Sequence, residues 1–193
     1  MKKNLILFAS GSGSNAVNVC KHYQQSKEVE VVALFCNNPT AGVIEKMKEF
    51  DVPVVLFNRS QFNDSDYFLD LVQSYQPSLI ALLGFLWKVP AYLVDAYPQK
   101  IVNLHPALLP KYGGKGMYGH FVHEAVKAAG EQETGITIHY VNAHYDEGAI
   151  IEQFTCQLSP TNSVEEIAQY IHQLEQAHVP ATIDKVLFGL NQD

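Results

Sequence analysis

An asparagine and a histidine two positions apart are the residues of this 193-residue sequence whose types and spacing best suit catalysis. Asn103 and His105 follow the short segment Lys100-Ile101-Val102, whose apolar residues predict a strand. That strand ends at Asn103, because prolines stand at 106 and 110. Side chains at i and i+2 of an extended segment share one face, so the amide and the imidazole can converge on one substrate atom. An amide N–H can stabilise a developing oxyanion, and an imidazole can move protons near neutrality.

Asp146 can complete this set. It lies in the segment His144-Tyr145-Asp146-Glu147-Gly148, some forty residues further on. A carboxylate beside an imidazole favours its protonated form, which can stabilise negative charge or act as an acid. The alternative is turn chemistry, since Asn-x-His before a proline is common in turns. The surrounding elements and motifs decide between the two.

Apolar runs alternate with helical patterns, which predicts one α/β domain over residues 1–193 with a doubly wound, mostly parallel sheet flanked by helices. The predicted sheet strands are residues 5–9, 29–36, 52–57, 79–83 and 101–103. Helices with one apolar face are predicted at residues 14–23, 42–50 and 66–75. Two neighbouring strands, 134–142 and 149–158, are joined by the loop that carries Asp146, and a helical tail over 163–188 is interrupted near Pro180.

The turn after the first predicted strand contains Gly11-x-Gly13-x-x-Ala16, which superficially matches a dinucleotide fingerprint. The second strand ends in Cys36-Asn37-Asn38-Pro39, where a nicotinamide enzyme usually has an acid, and no Walker A lysine follows the glycines. A helix start of this kind suits a single phosphate, because its free N–H groups and its dipole favour an anion. A tight packing turn is the alternative interpretation.

Composition narrows the class of protein. A net charge of −7, with thirteen scattered basic residues, argues against a nucleic-acid surface. The sequence has no run of eighteen apolar residues, and its start does not resemble a signal peptide, so we expect a cytoplasmic protein without membrane contact. The three cysteines are widely separated, and His120 and His123 have no third ligand nearby, so we predict neither disulfides nor a metal site.

Three ordered motifs, residues 103–112, 134–141 and 146–151, resemble the folate-dependent formyltransferases, and within them the branch that formylates glycinamide ribonucleotide. The likeness runs from the first strand to about Pro180. It implies a Rossmann-like formyltransferase fold with an antiparallel C-terminal strand region. It also implies transfer of the formyl group of 10-formyltetrahydrofolate to the amine of 5'-phosphoribosyl-glycinamide in de novo purine biosynthesis, without a metal. Asn103, His105 and Asp146 then form the catalytic trio.

The same resemblance assigns binding residues. The ribonucleotide phosphate is held at the first turn, by Gly13, Ser14, Asn15, Ala16 and Val17. Glu175 binds the glycinamide part of the nucleotide. The folate pterin is held by Leu86, Trp87, Lys88 and Val89 together with Asn103. His120 aligns with a family histidine that borders the site, whereas His139 and His144 are expected to pack or face solvent, with His144 the closer of the two to substrate.

Two related activities are the alternatives. Formyltetrahydrofolate deformylases usually carry an added N-terminal regulatory domain, and methionyl-tRNA formyltransferases append a C-terminal nucleic-acid-binding domain and extra basic surface. This sequence begins directly at its first strand and lacks such a surface, which favours the transferase that acts on small molecules. We expect it to be a monomer or homodimer. A non-catalytic sensor of folate or nucleotide is the third interpretation. Residues 112–120, with four glycines, predict a mobile loop.

Overall fold

The computed structural model describes residues 2–189, so the predicted domain of residues 1–193 extends past the described part at both ends. Its sheet has seven strands in the order β3-β2-β1-β4-β5-β6-β7. The strands are β1 (Lys3–Ala9), β2 (Val29–Cys36), β3 (Val54–Leu56), β4 (Leu79–Leu82), β5 (Ile101–His105), β6 (Glu133–Tyr140) and β7 (Ile150–Gln157). The first five are parallel, and β6 runs antiparallel to both β5 and β7. The predicted mixed sheet is therefore confirmed.

Helices cover both faces of this sheet. They are α1 (Ser14–Tyr23), α2 (Val43–Met47) with a 3-10 turn (Lys48–Phe50), α3 (Arg59–Asn63), α4 (Ser65–Ser74), α5 (Ala91–Ala96), α6 (His120–Ala128) and α7 (Val164–Phe188). Strand β1 shows the two layers, because Leu5 and Leu7 pack with α1 and α7 whereas Ile6 and Phe8 pack with α4 and α5. A parallel strand buried on both faces accounts for its unbroken apolar sequence.

The last helix differs from the prediction, since α7 continues through Pro180. A proline inside a helix leaves the carbonyl four residues earlier without its usual partner. Here that carbonyl, of Gln176, accepts a hydrogen bond of 2.9 Å from the side chain of Asn18 on α1. The helix starts as predicted, with a capping box between Ser163 and Glu166.

Helices α3 and α6 were not predicted, and α5 was expected only as a helix start after residues 82–90. Helices α3 and α5 have only five and six residues, too few to show a helical period. Helix α6 begins at His120, directly after the glycine-rich loop, and buries Val122 and Val126 against Ala107. Strand β5 is also two residues longer than expected, so that His105 lies within it. In residues 2–189, no helix is long and apolar enough to cross a membrane.

Candidate active site

A cavity of about 460 Å³ opens at the carboxyl ends of the parallel strands. It is lined by residues that follow β1, β4 and β5 and by the loop between β6 and β7. The chain builds the sheet from β1 towards β3 and then crosses back to β4, on the other side of β1. Open α/β sheets bind ligands at such a reversal of strand order. The predicted trio of Asn103, His105 and Asp146 lies in this cavity.

Strand β5 places Asn103 and His105 on the same face, as their spacing predicts. His105 is 3% exposed, and its Nε2 donates a hydrogen bond of 2.8 Å to the carbonyl of Tyr112. The ring's other nitrogen, Nδ1, lies 3.7 Å from Oδ2 of Asp146. Because the carbonyl can only accept, Nε2 keeps its hydrogen, and Nδ1 is the atom that gains or loses a proton.

Burial lowers the pKa of His105 below 6.5, and this outweighs the opposite effects of Asp146 and of the hydrogen bond to Tyr112. This shift runs against the expectation that Asp146 keeps the imidazole protonated. Removing a charged ring from water costs more here than the neighbouring carboxylate recovers. His105 is thus predominantly neutral at pH 7, with an unprotonated Nδ1.

Asp146 accepts hydrogen bonds from two groups and lies beside two imidazole rings. Its Oδ2 accepts a hydrogen bond of 2.9 Å from the N–H of Gly114, and its Oδ1 lies 3.4 Å from Nδ2 of Asn103 and 3.6 Å from Nε2 of His139. Burial raises the pKa of this carboxyl, but the contacts with His139, Gly114 and His105 together lower it below its usual value. Asp146 is therefore ionised at neutral pH. One of its hydrogen-bond donors, the N–H of Gly114, belongs to the glycine-rich loop that was predicted to be mobile.

His139 is a member of the site that the sequence did not identify. It lies on β6 directly opposite Asn103 and is 2% exposed. Its Nδ1 donates to the carbonyl of Tyr140 at 2.9 Å, which in the neutral ring leaves Nε2 to accept from Nδ2 of Asn103 at 3.1 Å. His144 lines the cavity as well. His139 packs, as one half of the expectation has it, but it packs against Asn103 in the site, and the signal was the antiparallel register that pairs the two residues.

The first turn contributes one side chain to the cavity, that of Asn15. Gly13 has φ 74°, and a Cβ there would lie 2.2 Å from Cγ2 of Val43, so only glycine fits this turn without strain. Ala16 is fully buried in the core. The other four residues assigned to the phosphate do not line the cavity: Gly13, Ser14, Ala16 and Val17. They can contribute only backbone groups, at the start of α1.

Glu175 reaches the same cavity from α7, far along the chain. Nδ2 of Asn15 donates to its carboxylate at 2.9 Å, and Oδ1 of Asn15 accepts from Gln176 at 3.0 Å. Burial raises the pKa of Glu175, although Asn15 and His172 act in the opposite direction. A carboxyl beside an amide, away from bulk water, is a suitable partner for a substrate amine or amide N–H.

The segment after β4 forms another wall, where Leu86, Trp87, Lys88 and Val89 all line the cavity. The N–H of Leu86 donates to Oγ of Ser10 at 3.1 Å, which fixes this segment to the first turn. An apolar wall with backbone groups at its edge suits a flat heteroaromatic ring.

The histidine that borders the site from α6 is His123. It is 7% exposed and lines the cavity, whereas His120 is exposed and does not line it. His120 was expected to border the site, and that expectation is wrong. The bordering histidine lies one helical turn later on α6. No group of three or more histidine, cysteine or acidic side chains in residues 2–189 could hold a metal ion.

Comparison with known proteins places the chain in a family. Residues 3–183 match the family described as formyl transferase. The chain belongs to the formyl transferase family. This formyl transferase is 34% identical over 194 residues to phosphoribosylglycinamide formyltransferase of Bacillus subtilis, with 98% of the chain and 96% of that relative covered. It is 35% identical over 185 residues to the chloroplastic enzyme of the same name from Arabidopsis thaliana, covering 92% of the chain but spanning only 63% of that relative.

Solved structures of enzymes with the same named activity have a similar fold. Glycinamide ribonucleotide transformylase 1 from Geobacillus kaustophilus superposes on this formyl transferase with a TM-score of 0.87 at 32% identity, covering 97% of the chain and 100% of that structure. The phosphoribosylglycinamide formyltransferase of Bacillus halodurans gives a TM-score of 0.85 at 32% identity, with 96% and 95% covered.

Proposed function

We propose that this formyl transferase moves the formyl group of 10-formyltetrahydrofolate to the primary amine of 5'-phosphoribosyl-glycinamide, a step of de novo purine biosynthesis. The observation that carries the proposal is the convergence of Asn103, His105 and Asp146 in one cavity. The named activity of the relatives, matched over nearly the full length of the Bacillus subtilis protein, supports the choice of substrates.

The cavity offers places for two ligands. For the nucleotide, the first turn of α1 has free backbone N–H groups and the positive end of the helix dipole, which favours a phosphate by roughly 0.3–1 kcal/mol. Glu175, hydrogen-bonded to Asn15, is our candidate for binding the glycinamide. For the folate, Leu86, Trp87, Lys88 and Val89 are the candidates for holding the pterin.

In the proposed reaction the neutral amine attacks the formyl carbon and forms a tetrahedral adduct. Asn103 donates an N–H to the oxyanion, an interaction of about 2.7–4 kcal/mol for a donor of this kind. The two hydrogens of this amide point at His139 and Asp146. The 3.4 Å contact with Asp146 is the longer of the two, so it is the one that the oxyanion replaces.

His105 then moves the proton. Its Nδ1 accepts a proton from the attacking amine and delivers it to the departing folate nitrogen, so that the C–N bond to folate breaks and the formamide remains. General acid–base help of this kind accelerates reactions roughly 10²–10⁴-fold. The carboxylate of Asp146, 3.7 Å from Nδ1, stabilises the imidazolium formed in between. Binding both reactants side by side supplies further acceleration, and no step requires a metal.

The test is release of tetrahydrofolate from 10-formyltetrahydrofolate, measured with and without glycinamide ribonucleotide. The proposal predicts release only when the nucleotide is present, with one formylated product per tetrahydrofolate. Equal release without the nucleotide indicates a hydrolase, and binding of both ligands without release indicates a sensor. A methionyl-tRNA acceptor serves as a further arm and is expected to remain unformylated.

We further propose that the enzyme works in the cytoplasm on small molecules, as a monomer or homodimer. Phosphorylated, anionic substrates cross a membrane only with a carrier. We therefore expect the enzyme in the same compartment as its substrates. Size-exclusion chromatography with light scattering decides between monomer and homodimer.

A further inference from the structure

The short stretch of residues 112–114 contacts both His105 and Asp146. The carbonyl of Tyr112 accepts a hydrogen bond of 2.8 Å from Nε2 of His105. The N–H of Gly114 donates one of 2.9 Å to Oδ2 of Asp146. The other two residues of the stretch are glycines, so Tyr112 has the only side chain that can anchor it. The position of both groups therefore depends on how the side chain of Tyr112 is held.

The ring of neutral His105 has one N–H hydrogen and two neighbouring acceptors. The Tyr112 carbonyl faces Nε2 at 2.8 Å, whereas the carboxylate of Asp146 faces Nδ1 at 3.7 Å. The hydrogen lies on Nε2, because the contact there is short enough for a hydrogen bond and the other is too long. With the Tyr112 carbonyl displaced, the hydrogen moves to Nδ1, beside the carboxylate. Nδ1 then no longer accepts a proton.

Tyr112 presents its carbonyl from a left-handed backbone conformation, with φ 56°. This conformation is unfavourable for a residue with a Cβ, and it persists only where surrounding contacts enforce it. The Tyr112 side chain packs against the small apolar cluster of Ala107, Val122 and Val126. Apolar packing has no preferred direction, so a directional contact is needed to fix the ring.

Glu131, between α6 and β6, provides that directional contact. Its Oε1 accepts hydrogen bonds from Nζ of Lys111 and from the hydroxyl of Tyr112, both at 2.9 Å. These two bonds lower the pKa of Glu131 below its usual value, and a hydrogen bond to an ionised acceptor is a strong one. Neither Tyr112 nor Glu131 lines the active-site cavity, so contact with a substrate does not account for this arrangement.

We propose that Glu131 is a positioning residue of the active site. Its hydrogen bond with the Tyr112 hydroxyl fixes the stretch of residues 112–114. As a result, His105 keeps its hydrogen on Nε2 and Asp146 keeps its backbone donor. The inference rests on the proposed function for the reaction that His105 serves, but the tautomer of His105 is measured without any substrate.

NMR of protein with ¹⁵N-labelled histidines tests the tautomer directly. Two-bond ¹H–¹⁵N correlations distinguish the Nε2–H form from the Nδ1–H form, and loss of signals in His105→Gln assigns the ring. Above the pKa of His105 we expect the Nε2–H form in the wild type. We expect a mixture with the Nδ1–H form in Tyr112→Phe, which loses only the hydroxyl, and in Glu131→Ala. An unchanged tautomer in both variants overturns the inference.

Two conservative variants separate the hydrogen bond from the charge of Glu131. Glu131→Gln still offers an oxygen to the Tyr112 hydroxyl, so it is expected to keep the Nε2–H form. Lys111→Gln removes the other partner of Glu131, an exposed cation, and is also expected to behave as the wild type. A tautomer that changes as much in Glu131→Gln as in Glu131→Ala overturns the inference.

The matched control is Tyr23→Phe. It removes another tyrosine hydroxyl that donates to a carboxylate, that of Asp184 on α7, at 2.8 Å. Neither of these residues lines the cavity. Tyr23→Phe is expected to lower the temperature of unfolding and to leave the His105 tautomer and kcat unchanged. An equal change of tautomer in this control shows a general loss of rigidity and overturns the inference. Circular dichroism of each variant shows that it is folded.

Turnover separates this inference from the proposed function. Tyr112→Phe and Glu131→Ala are expected to lower kcat roughly tenfold, the size of one lost hydrogen bond. The KM of each substrate is expected to stay unchanged, because neither residue lines the cavity. Normal kcat in both variants overturns the inference alone. Absence of formyl transfer in a wild type whose tautomer responds to Tyr112→Phe overturns the proposed function alone.

Discussion

At the residue scale, the protonation state of one imidazole determines how the site can work. His105 donates from Nε2 to the Tyr112 carbonyl and is kept neutral by burial, so its free nitrogen faces Asp146 as a proton acceptor. A sequence motif shows that an imidazole and a carboxylate are both present. It does not show how deeply the ring is buried, and burial rather than the neighbouring carboxylate sets the direction in which the pKa of His105 moves.

The first prediction concerns the imidazole itself. His105→Ala is expected to lower kcat by roughly 10²–10⁴-fold, because the proton relay is lost, while both ligands still bind. Asp146→Asn is expected to lose most of kcat as well. His120→Ala is the matched control, since His120 is exposed and does not line the cavity. Steady-state kinetics with calorimetric binding measure this, and near-normal turnover of His105→Ala contradicts the assigned role.

The second prediction concerns pH. Because burial holds the pKa of His105 below 6.5, kcat/KM is expected to stay level around neutrality and to fall on the acid side, as Nδ1 becomes protonated. The Asp146 carboxylate raises the pKa of His105, so Asp146→Asn is expected to move the midpoint of the ring's titration to lower pH. NMR titration of the His105 ring in both proteins measures it. A midpoint that rises in Asp146→Asn is the contrary result.

At the element scale, the turn between β1 and α1 depends on close packing. Gly13 adopts a left-handed conformation and lies against Val43, where α2 begins. Gly11, two residues earlier, has no heavy atom within 4 Å of a Cβ built on it. Of the two glycines of the dinucleotide-like motif, Gly13 is therefore required by the close packing of the turn, whereas there is space for a side chain at Gly11.

The third prediction uses this contrast. Gly13→Ala is expected to destabilise the protein by about 1–3 kcal/mol and to raise the KM for glycinamide ribonucleotide, because the turn must shift away from Val43. Gly11→Ala is expected to leave stability nearly unchanged. Thermal denaturation and the KM of each variant provide the comparison. Equal effects of the two substitutions show that the close approach at Gly13 is not what shapes this turn.

The elements that the sequence predicted well are those with strong local signals. The predicted bounds of β2 and α1, residues 29–36 and 14–23, coincide with the observed ones. Their apolar patterns are clear, since β2 is a largely buried strand and α1 is a helix with one apolar face. The role of His139 could not be predicted in the same way, because it depends on the register between β5 and β6, a non-local property.

At the scale of the whole molecule, the last helix completes a site that begins at the first turn. Asn15 and Glu175 are hydrogen-bonded across 160 positions of the sequence, and Asn18 supports the carbonyl of Gln176 in the same interface. The pairing of α1 with α7 could not be derived from local patterns. The resemblance, rather than helical periodicity, is what singled out Glu175 in the sequence.

The fourth prediction tests this interface. Asn18→Ala is expected to destabilise the protein by about 1–3 kcal/mol, because it leaves the Gln176 carbonyl without a partner. Pro180→Ala restores a backbone N–H four residues after that carbonyl, so the cost of Asn18→Ala is expected to be smaller in the Pro180→Ala background. Urea denaturation of the four proteins measures the coupling. Additive effects contradict the view that Asn18 replaces the missing helical hydrogen bond.

The most direct measurement follows the transferred carbon. 10-Formyltetrahydrofolate labelled with ¹³C in its formyl group is incubated with the protein and 5'-phosphoribosyl-glycinamide, and the label is located by NMR. We predict that the label appears as a formamide on the nucleotide's glycine nitrogen, and that His105→Ala slows its appearance by the factor given above. Label recovered as free formate, or left on the folate while both ligands are bound, contradicts formyl transfer at this site.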